Sequence, residues 1–358
     1  MEHSGKKICV AMSGGVDSSV AAHLLAAAGN RLIGVTMCLG VTDEAGRAAC
    51  CGPQAVRDAR TVCDQLDMPH YVLDFSKLLQ EHVINDFLSQ YAAGRTPNPC
   101  VRCNRYLKFD ALYKYARSCG YDYIATGHYA AIGTRQGRTV LLRHHDRGKD
   151  QSYFLYSIPP EVLEYTVFPL AGMAKPAVRA VARESRITVA EKPESQEICF
   201  VTDNDYRRFL KQYGIPAEEG PFIDTAGRVL GTHKGIFNYT IGQRKGLGIA
   251  LGAPCYVVTI DPGRNTVTLG TREELGADSL VARDVNLFVD ELPAQCTAKI
   301  RYAQADVPCS ARYADGRLTV TFGQPVEAVT PGQSVVLYDG DAVLGGGIIE
   351  DVIRSKTS

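Results

Sequence analysis

Two clusters of residues in this chain have types and spacings that could do chemistry. The first is Ser13-Gly14-Gly15-Val16-Asp17-Ser18-Ser19, entered directly from the apolar run Ile8-Cys9-Val10-Ala11-Met12. Adjacent glycines let backbone N–H groups approach an anion closely. A helix starting just after them adds unpaired donors and a positive dipole end. Ser13, Ser18 and Ser19 are expected to add hydroxyl donors. Asp17 would repel a phosphate, so its expected role is to hold Mg²⁺ or to orient the loop. No Gly-Lys-Ser/Thr is present, so this is not a Walker-type loop. The plain alternative is an ordinary Gly-rich strand-to-helix turn; the flanking serines, the aspartate and the leading strand favour a phosphate site.

The second cluster is Arg95-Thr96-Pro97-Asn98-Pro99-Cys100-Val101-Arg102-Cys103-Asn104, joined by Cys199 in Glu197-Ile198-Cys199-Phe200. The prolines stiffen the approach to the cysteines. A thiol near a helix start, beside Arg102 and Arg105, is expected to have a lowered pKa. Three readings stand side by side. One is a structural turn with buried thiols. Another is a zinc site, which lacks its second CxxC. The last is sulfur chemistry, in which a thiolate attacks a persulfide or an activated carbon.

The elements that must hold these clusters alternate in type. Ile8–Met12, Arg31–Met37, His70–Phe75 and Tyr123–Thr126 read as strands. Ser18–Ala28, Pro53–Leu66, Leu78–Tyr91 and Phe109–Ser118 read as helices between and after them. That βαβ order implies a parallel sheet with helices on both faces. The pattern then changes. Glu197–Gly220 is polar, with a helix over Tyr206–Tyr213, and from Phe222 short strands dominate. Leu318–Phe322 and Ser334–Tyr338 alternate in polarity, with turn signals at Asp261-Pro262-Gly263, Asp315-Gly316 and Asp339-Gly340. This is the pattern of a small antiparallel barrel or sandwich. The fold class is therefore α/β, with a parallel-sheet domain, a small central domain and a C-terminal antiparallel β-barrel. The expected boundaries are 1–205, 206–278 and 279–358.

With 358 residues, two or three domains are expected. The 39 basic and 39 acidic residues balance, so a nucleic-acid partner must meet a local basic patch, for which Arg143, Arg147, Lys149, Arg244 and Lys245 are candidates. The N-terminus lacks a secretory apolar region and no apolar run is long enough to span a membrane, so a reducing cytoplasm is the expected setting and most of the 12 cysteines should be thiols. Cys9, Cys38 and Cys63 lie in apolar contexts and read as core residues.

The loop on its own resembles that of the N-type ATP pyrophosphatases, which leave an adenylated substrate and pyrophosphate. A wider set of segments sharpens this. Ser13–Ser18, Thr96-Pro97-Asn98-Pro99 with Cys103-Asn104, Thr126-Gly127-His128-Tyr129, Lys149–Leu155, Cys199-Phe200, Tyr239–Gly248 and Pro331-Gly332-Gln333-Ser334 occur in this order. Together they resemble the tRNA-specific 2-thiouridylase (MnmA) family over nearly the whole chain. The resemblance implies ATP-dependent replacement of the C2 oxygen of a tRNA wobble uridine by sulfur, with tRNA and a sulfur-relay or cysteine-desulfurase donor protein as partners. It implies ATP contacts at Ala11, Met12, Ser13, Gly14, Gly15, Val16, Asp17, Ser18, Met37 and Gly127. It makes Cys103 the nucleophile and Cys199 the persulfide carrier, with a transient Cys103–Cys199 disulfide. It implies tRNA contacts at Asn98, Pro99, Cys100, His128, Lys149, Asp150, Gln151, Arg301, Tyr302 and Gln333. Lys and Arg suit phosphate, Gln a base edge and Tyr an unstacked base. Without the resemblance, a solvated strand pair is the plainer reading of Arg301-Tyr302, and a structural histidine that of His128.

One position departs from the pattern. Some family members carry Asp where this chain has Cys100. With Cys103 and Cys199 it makes a three-thiol set, which raises a second route through a [4Fe–4S] cluster with one open iron. Two further functions compete: an ATP pyrophosphatase acting on a small metabolite, and a nucleotide- and redox-sensing RNA-binding module without activity.

Overall fold

The structure is a computed structural model and describes residues 4–41, 52–193, 198–249 and 252–354. The first three residues and Glu197, on which expectations above touch, lie outside them. The chain divides into two compact units, one of Met1–Val83, Cys100–Asn204 and Gly340–Val343, the other of Ile84–Pro99, Asp205–Asp339 and Leu344–Ser358.

In the first unit the strands are β1 (Lys7–Ala11), β2 (Arg31–Cys38), β3 (His70–Asp74), β4 (Tyr123–Ala125), the hairpin β5 (Ala131–Arg135) and β6 (Arg138–Leu142), and β7 (Thr166–Val167). Five of them form a parallel sheet in the order β3-β2-β1-β4-β7. The order runs outward from β1 in both directions. The ends of β1 and β4 therefore lie at the switch point where open α/β sheets bind ligands. Ile8, Val10 and Met12 enter a core with Val16 and Val20 of the helix Val16–Ala27, Ala59 and Val62 of the helix Pro53–Gln65, and Val178 and Ala182 of the helix Lys175–Glu184. Cys9, on the opposite face of β1, is fully buried near Cys119, which caps the helix Leu112–Ser118. Helices thus cover both faces, as the βαβ pattern requires. Edge strand β3 leaves Tyr71 and Val72 exposed.

Two local expectations change. The helix expected from Phe109 begins ten residues earlier, at Pro99, and so contains both cysteines. Pro99 is suited to a first helical turn, where its missing N–H costs nothing. Its middle stretch, Cys103–Ala111, is π-helical, as is Gln80–Ile84 within the helical run 76–92. The hairpin β5–β6 gave no turn signal that was read from sequence. Gln136 and Gly137 both hold positive φ, at 50° and 77°, the pairing that a two-residue hairpin turn demands.

In the second unit, β8 (Glu219–Asp224), β9 (Val229–Lys234), β10 (Tyr256–Asp261) and β11 (Thr266–Gly270) form a sheet around Phe222, Tyr239, Ile241, Val257 and Leu269. Then β12 (Gly276–Leu287), β13 (Cys296–Lys299), β14 (Val307–Ala314), β15 (Arg317–Glu327), β16 (Ser334–Asp339) and β17 (Ala342–Ile353) join in the order β12-β15-β14-β13-β16-β17. Pairing of β12 with β17 closes these six strands into the expected barrel, which leaves no open edge.

Candidate active site

The phosphate loop follows β1 at the switch point. Gly14 has φ +69°, and a Cβ there would lie 2.3 Å from the carbonyl oxygen of Ala55, so only glycine fits. The helix starts at Val16 and leaves its first N–H groups unpaired at the loop. Ser18 and Ser19 are buried and donate back to the carbonyl of Gly15, at 3.1 and 2.8 Å. In this arrangement both hydroxyls brace the loop from within. Ser13 stays exposed, with its N–H and Oγ both in reach of Ser18 Oγ.

Asp17 is held by groups from distant parts of the chain. Lys175 Nζ donates to its two oxygens at 2.7 and 2.8 Å, and Tyr129 Oη donates at 2.7 Å. A carboxylate so engaged is held in place by its partners, which fits the loop-orienting role, the second of the two left open by sequence. A second lysine, Lys192, donates to Gly14 O at 2.8 Å and to Asp58 Oδ2 at 2.7 Å. Burial opposes ionisation of Asp58, but hydrogen bonds and charge from Lys192 outweigh it and lower the pKa of its carboxyl. Neither lysine carried a sequence signal: they lie 158 and 178 residues from their partners in the loop. Of the other expected nucleotide contacts, Ala11 and Met12 are buried at the end of β1 and Met37 is half-buried in β2. Gly127, just after β4, lies against the loop: a Cβ on it would be 2.6 Å from both Asp17 C and Ser18 N.

The cysteine helix is fastened at several points. Asn104 Nδ2 donates to Phe154 O at 2.9 Å, Arg105 reaches Ser157 O at 3.4 Å, and Ser157 Oγ donates to Val101 O at 3.3 Å. Cys100 and Cys199 are exposed and Cys103 is half-buried. Cys100 feels both Lys108 and Cys199 electrostatically, so the two thiols are neighbours. Although part of its surface is open, the protein crowded round the Cys100 thiol raises its pKa, and Lys108 only partly offsets this. The expectation of a lowered pKa near the helix start therefore fails for Cys100, because desolvation outweighs the nearby cation. Among the described residues no group of three or more His, Cys, Asp or Glu side chains is placed to hold a metal ion.

These features match known proteins along the whole chain. Residues 6–203 match the family described as tRNA methyl transferase HUP domain, 207–271 its PRC-barrel domain, and 277–349 the aminomethyltransferase beta-barrel domain. The chain is 50% identical over 349 residues to tRNA-specific 2-thiouridylase MnmA 1 of Syntrophus aciditrophicus, covering 98% of this chain and 94% of that protein. It is 48% identical to tRNA-specific 2-thiouridylase MnmA of Clostridioides difficile and 50% identical to that of Moorella thermoacetica, covering 96% of this chain and 98% and 99% of theirs. The chain belongs to the tRNA-specific 2-thiouridylase MnmA family.

The residues that the family pattern assigns to tRNA fall in both units. In the first, His128 bonds Thr126 Oγ1 at 2.8 Å and packs beside the rings of Phe109 and Phe168. Burial, with Lys108 adding to it, holds the imidazole pKa well below its ordinary value, so the ring is neutral. Asp150 is buried and accepts from the backbone of His144 and Ser152 and from Ser152 Oγ. Gln151 Oε1 accepts the Tyr129 N–H at 2.8 Å, while Lys149 stays half-buried beside them. In the second unit, Gln333 Nε2 donates to Thr96 O at 2.9 Å and Pro97 O at 3.3 Å, fixing the turn that carries Asn98 and Pro99. Arg301 donates to Ile241 O, Ala328 O and Thr330 Oγ1, anchoring the Tyr239–Gly248 segment. Its neighbour Tyr302 is exposed, with Lys299 Nζ 5.5 Å from its ring.

Proposed function

We propose that this chain is a tRNA-uridine 2-sulfurtransferase that uses ATP to adenylate the C2 oxygen of a wobble uridine and replaces that oxygen with sulfur. The observation that carries the reading is the pairing, within one unit, of a glycine loop at the sheet's switch point with a helix that bears Cys100 and Cys103 beside Cys199. A small-metabolite ligase would use the loop and leave these thiols without a role. The extent of the match to thiouridylases supports tRNA as the substrate.

The loop's N–H groups would bind the nucleotide phosphates, with Mg²⁺ arriving on the phosphates rather than on an all-protein ligand set. Exposed Cys199 is open to loading as a persulfide by a relay or desulfurase protein. Cys103 thiolate then attacks Sγ of Cys199. The Sγ–S bond breaks, the outer sulfur leaves as hydrosulfide, and a Cys103–Cys199 disulfide forms. Hydrosulfide attacks C2 of the adenylated uridine and AMP departs with the oxygen. An external thiol returns both cysteines to the reduced form. Among the described residues no helix is long and apolar enough to cross a membrane. A cytoplasmic setting supports a disulfide that is transient and catalytic. The division into domains at 1–205, 206–278 and 279–358 is part of the same proposal.

The test is an ATP-dependent thiolation assay on unmodified tRNA with a sulfur donor, comparing wild type with Cys100→Ala, Cys103→Ala and Cys199→Ala. Loss of 2-thiouridine in the Cys103 and Cys199 variants alone, with pyrophosphate still released, supports the persulfide route. Loss in all three, with iron bound to the wild type, would replace it with the cluster. AMP formation that ignores tRNA would overturn the whole reading.

A further inference from the structure

Two successive peptide groups of the phosphate loop are held by different means. The carbonyl of Gly15 accepts from Ser18 Oγ at 3.1 Å, Ser19 Oγ at 2.8 Å and the Ser19 N–H at 3.3 Å, all from the start of the same helix. The carbonyl of Gly14 accepts from Lys192 Nζ at 2.8 Å, a group 178 residues along the chain. A trans peptide sets its N–H opposite its carbonyl, so whatever fixes Gly14 O also fixes the direction of the Gly15 N–H. Glycine stands on both sides of that bond. Turning the peptide over would carry φ of Gly15 from −105° to a positive value, which glycine accepts and other residues resist. The Gly14–Gly15 peptide is therefore free to present either its N–H or its carbonyl to an anion unless something outside the loop holds it.

Lys192 is itself held from two sides. Asp58 Oδ2 accepts from its ammonium at 2.7 Å, and Asp58 Oδ1 accepts from Gln54 Nε2 at 2.6 Å. Gln54 Oε1 in turn accepts from Arg57 at 2.9 Å. These residues lie on the helix Pro53–Gln65, which also carries Ala55, the residue whose carbonyl leaves no room for a Cβ on Gly14. On the other side, Arg179 donates to Ala190 O at 2.9 Å and to Lys192 O at 3.3 Å, which ties the backbone beneath Lys192 to the helix Lys175–Glu184. That helix also brings Lys175 to Asp17. All of these groups belong to the first unit. The ammonium thus meets the loop with its charge already matched by Asp58. Its action on the loop is the directed hydrogen bond to one carbonyl.

We propose that Lys192, oriented by Asp58, is a positioning residue of the adenylation step: it holds the Gly14–Gly15 peptide in the one orientation that aims the Gly15 N–H at the nucleotide phosphates. This rests on the reading of the site given above. A preorganised donor stabilises charge on a phosphate without reorganising during the reaction. The reversed peptide would put a carbonyl oxygen where the anion needs a donor, and the loop's own glycines do not prevent that. Lys192 supplies the constraint that the Gly-Gly sequence gives up in return for close approach to the anion.

Tests use the full chain with unmodified tRNA, measuring pyrophosphate release, KM for ATP and melting temperature. The peptide itself is observable by NMR. Glycine labelled at both its carbonyl carbon and its nitrogen marks three Gly-Gly bonds in this sequence, Gly14–Gly15, Gly345–Gly346 and Gly346–Gly347, and the last two serve as internal references. Lys192→Met keeps the aliphatic stem and removes the donor. It is expected to lower kcat/KM for ATP about 100-fold, the usual cost of a misplaced donor. It should also shift or split the Gly14–Gly15 signal before any nucleotide is added, with the reference signals and the melting temperature near wild type. Lys192→Arg should recover part of the rate and return the signal toward its wild-type position. Asp58→Asn should show smaller changes in the same two readouts. Glu191→Gln, which breaks an exposed ion pair with Arg183 beside Lys192, is the control and should match wild type. Lys192→Met at the wild-type rate overturns the proposal. So does a lost rate with an unmoved Gly14–Gly15 signal, which makes Lys192 a direct phosphate ligand. If Lys192→Met does not fold, Asp58→Asn decides: a wild-type rate with an unmoved signal overturns the proposal, and the shifted signal with a lowered rate upholds it. Wild type that releases no pyrophosphate with tRNA brings down the proposed function itself, a separate result.

Discussion

Gly127, just after β4, packs against the loop proposed to bind the nucleotide, and the effect of one methyl group there can be worked out. A Cβ on Gly127 would stand 2.6 Å from Asp17 C and Ser18 N and 2.9 Å from Asp17 O. Ordinary contact begins at 3.4 Å, so one backbone must retreat by about 0.8 Å. The obstacle is main chain, so no rotamer change relieves it. Overpacking of this kind costs about 1–3 kcal/mol, and a shift near 1 Å in a positioned reacting group costs on the order of 100-fold in rate. Gly127→Ala should therefore fold with a lowered melting temperature and lose most of its tRNA-dependent pyrophosphate release. Gly172→Ala serves as the control, because a Cβ there meets nothing within 4 Å. The assay is pyrophosphate release at saturating tRNA with ATP affinity measured in parallel. A Gly127→Ala enzyme with ATP affinity and rate within twofold of wild type would refute the claim that this glycine sets the loop's position.

Asp17 and Lys175 should behave as a coupled pair: Asp17→Asn takes the carboxylate charge from a buried ammonium, and Lys175→Met takes the ammonium from the carboxylate. A double-mutant cycle read by denaturant unfolding is expected to show about 1–3 kcal/mol of coupling, and additive losses would show the contact to be idle. His128 should make stability fall in acid. The unfolded ring takes up a proton near its ordinary pKa of 6.5, whereas the folded ring resists until well below it. The contribution is complete above that pH and declines as pH falls below it, by about 1.4 kcal/mol per unit for one proton. His128→Gln should flatten that part of the stability–pH curve, and an unchanged slope would mean that the folded ring titrates normally.

The sequence by itself determined what rests on short stretches of chain. An apolar strand, a Gly-Gly turn and an alanine-rich helix in succession predict a glycine loop at a helix start, and the structure places that loop after β1. The order of strands and helices, and then of short strands and turns, gave the parallel sheet and the closed barrel because hydrophobic period and turn residues are local signals. The cysteine motifs were equally legible, but their surroundings were not. Whether Cys100 is a thiolate depends on how tightly the folded chain surrounds it, and burial decides against the nearby positive charges. The helical state of Cys100 and Cys103 was also missed, because the two prolines read as a stiff approach whereas Pro99 opens the helix. Tertiary structure alone supplied Lys175 and Lys192, which meet the loop only when helices far along the chain pack beside β1. It alone turned Ser18 and Ser19 inward, and gave the side chains of Gln333 and Arg301 carbonyl partners that lie close in space and far apart in sequence. Local sequence fixes which chemistry is available, whereas the charge state and orientation of each group depend on neighbours that only the folded chain brings together.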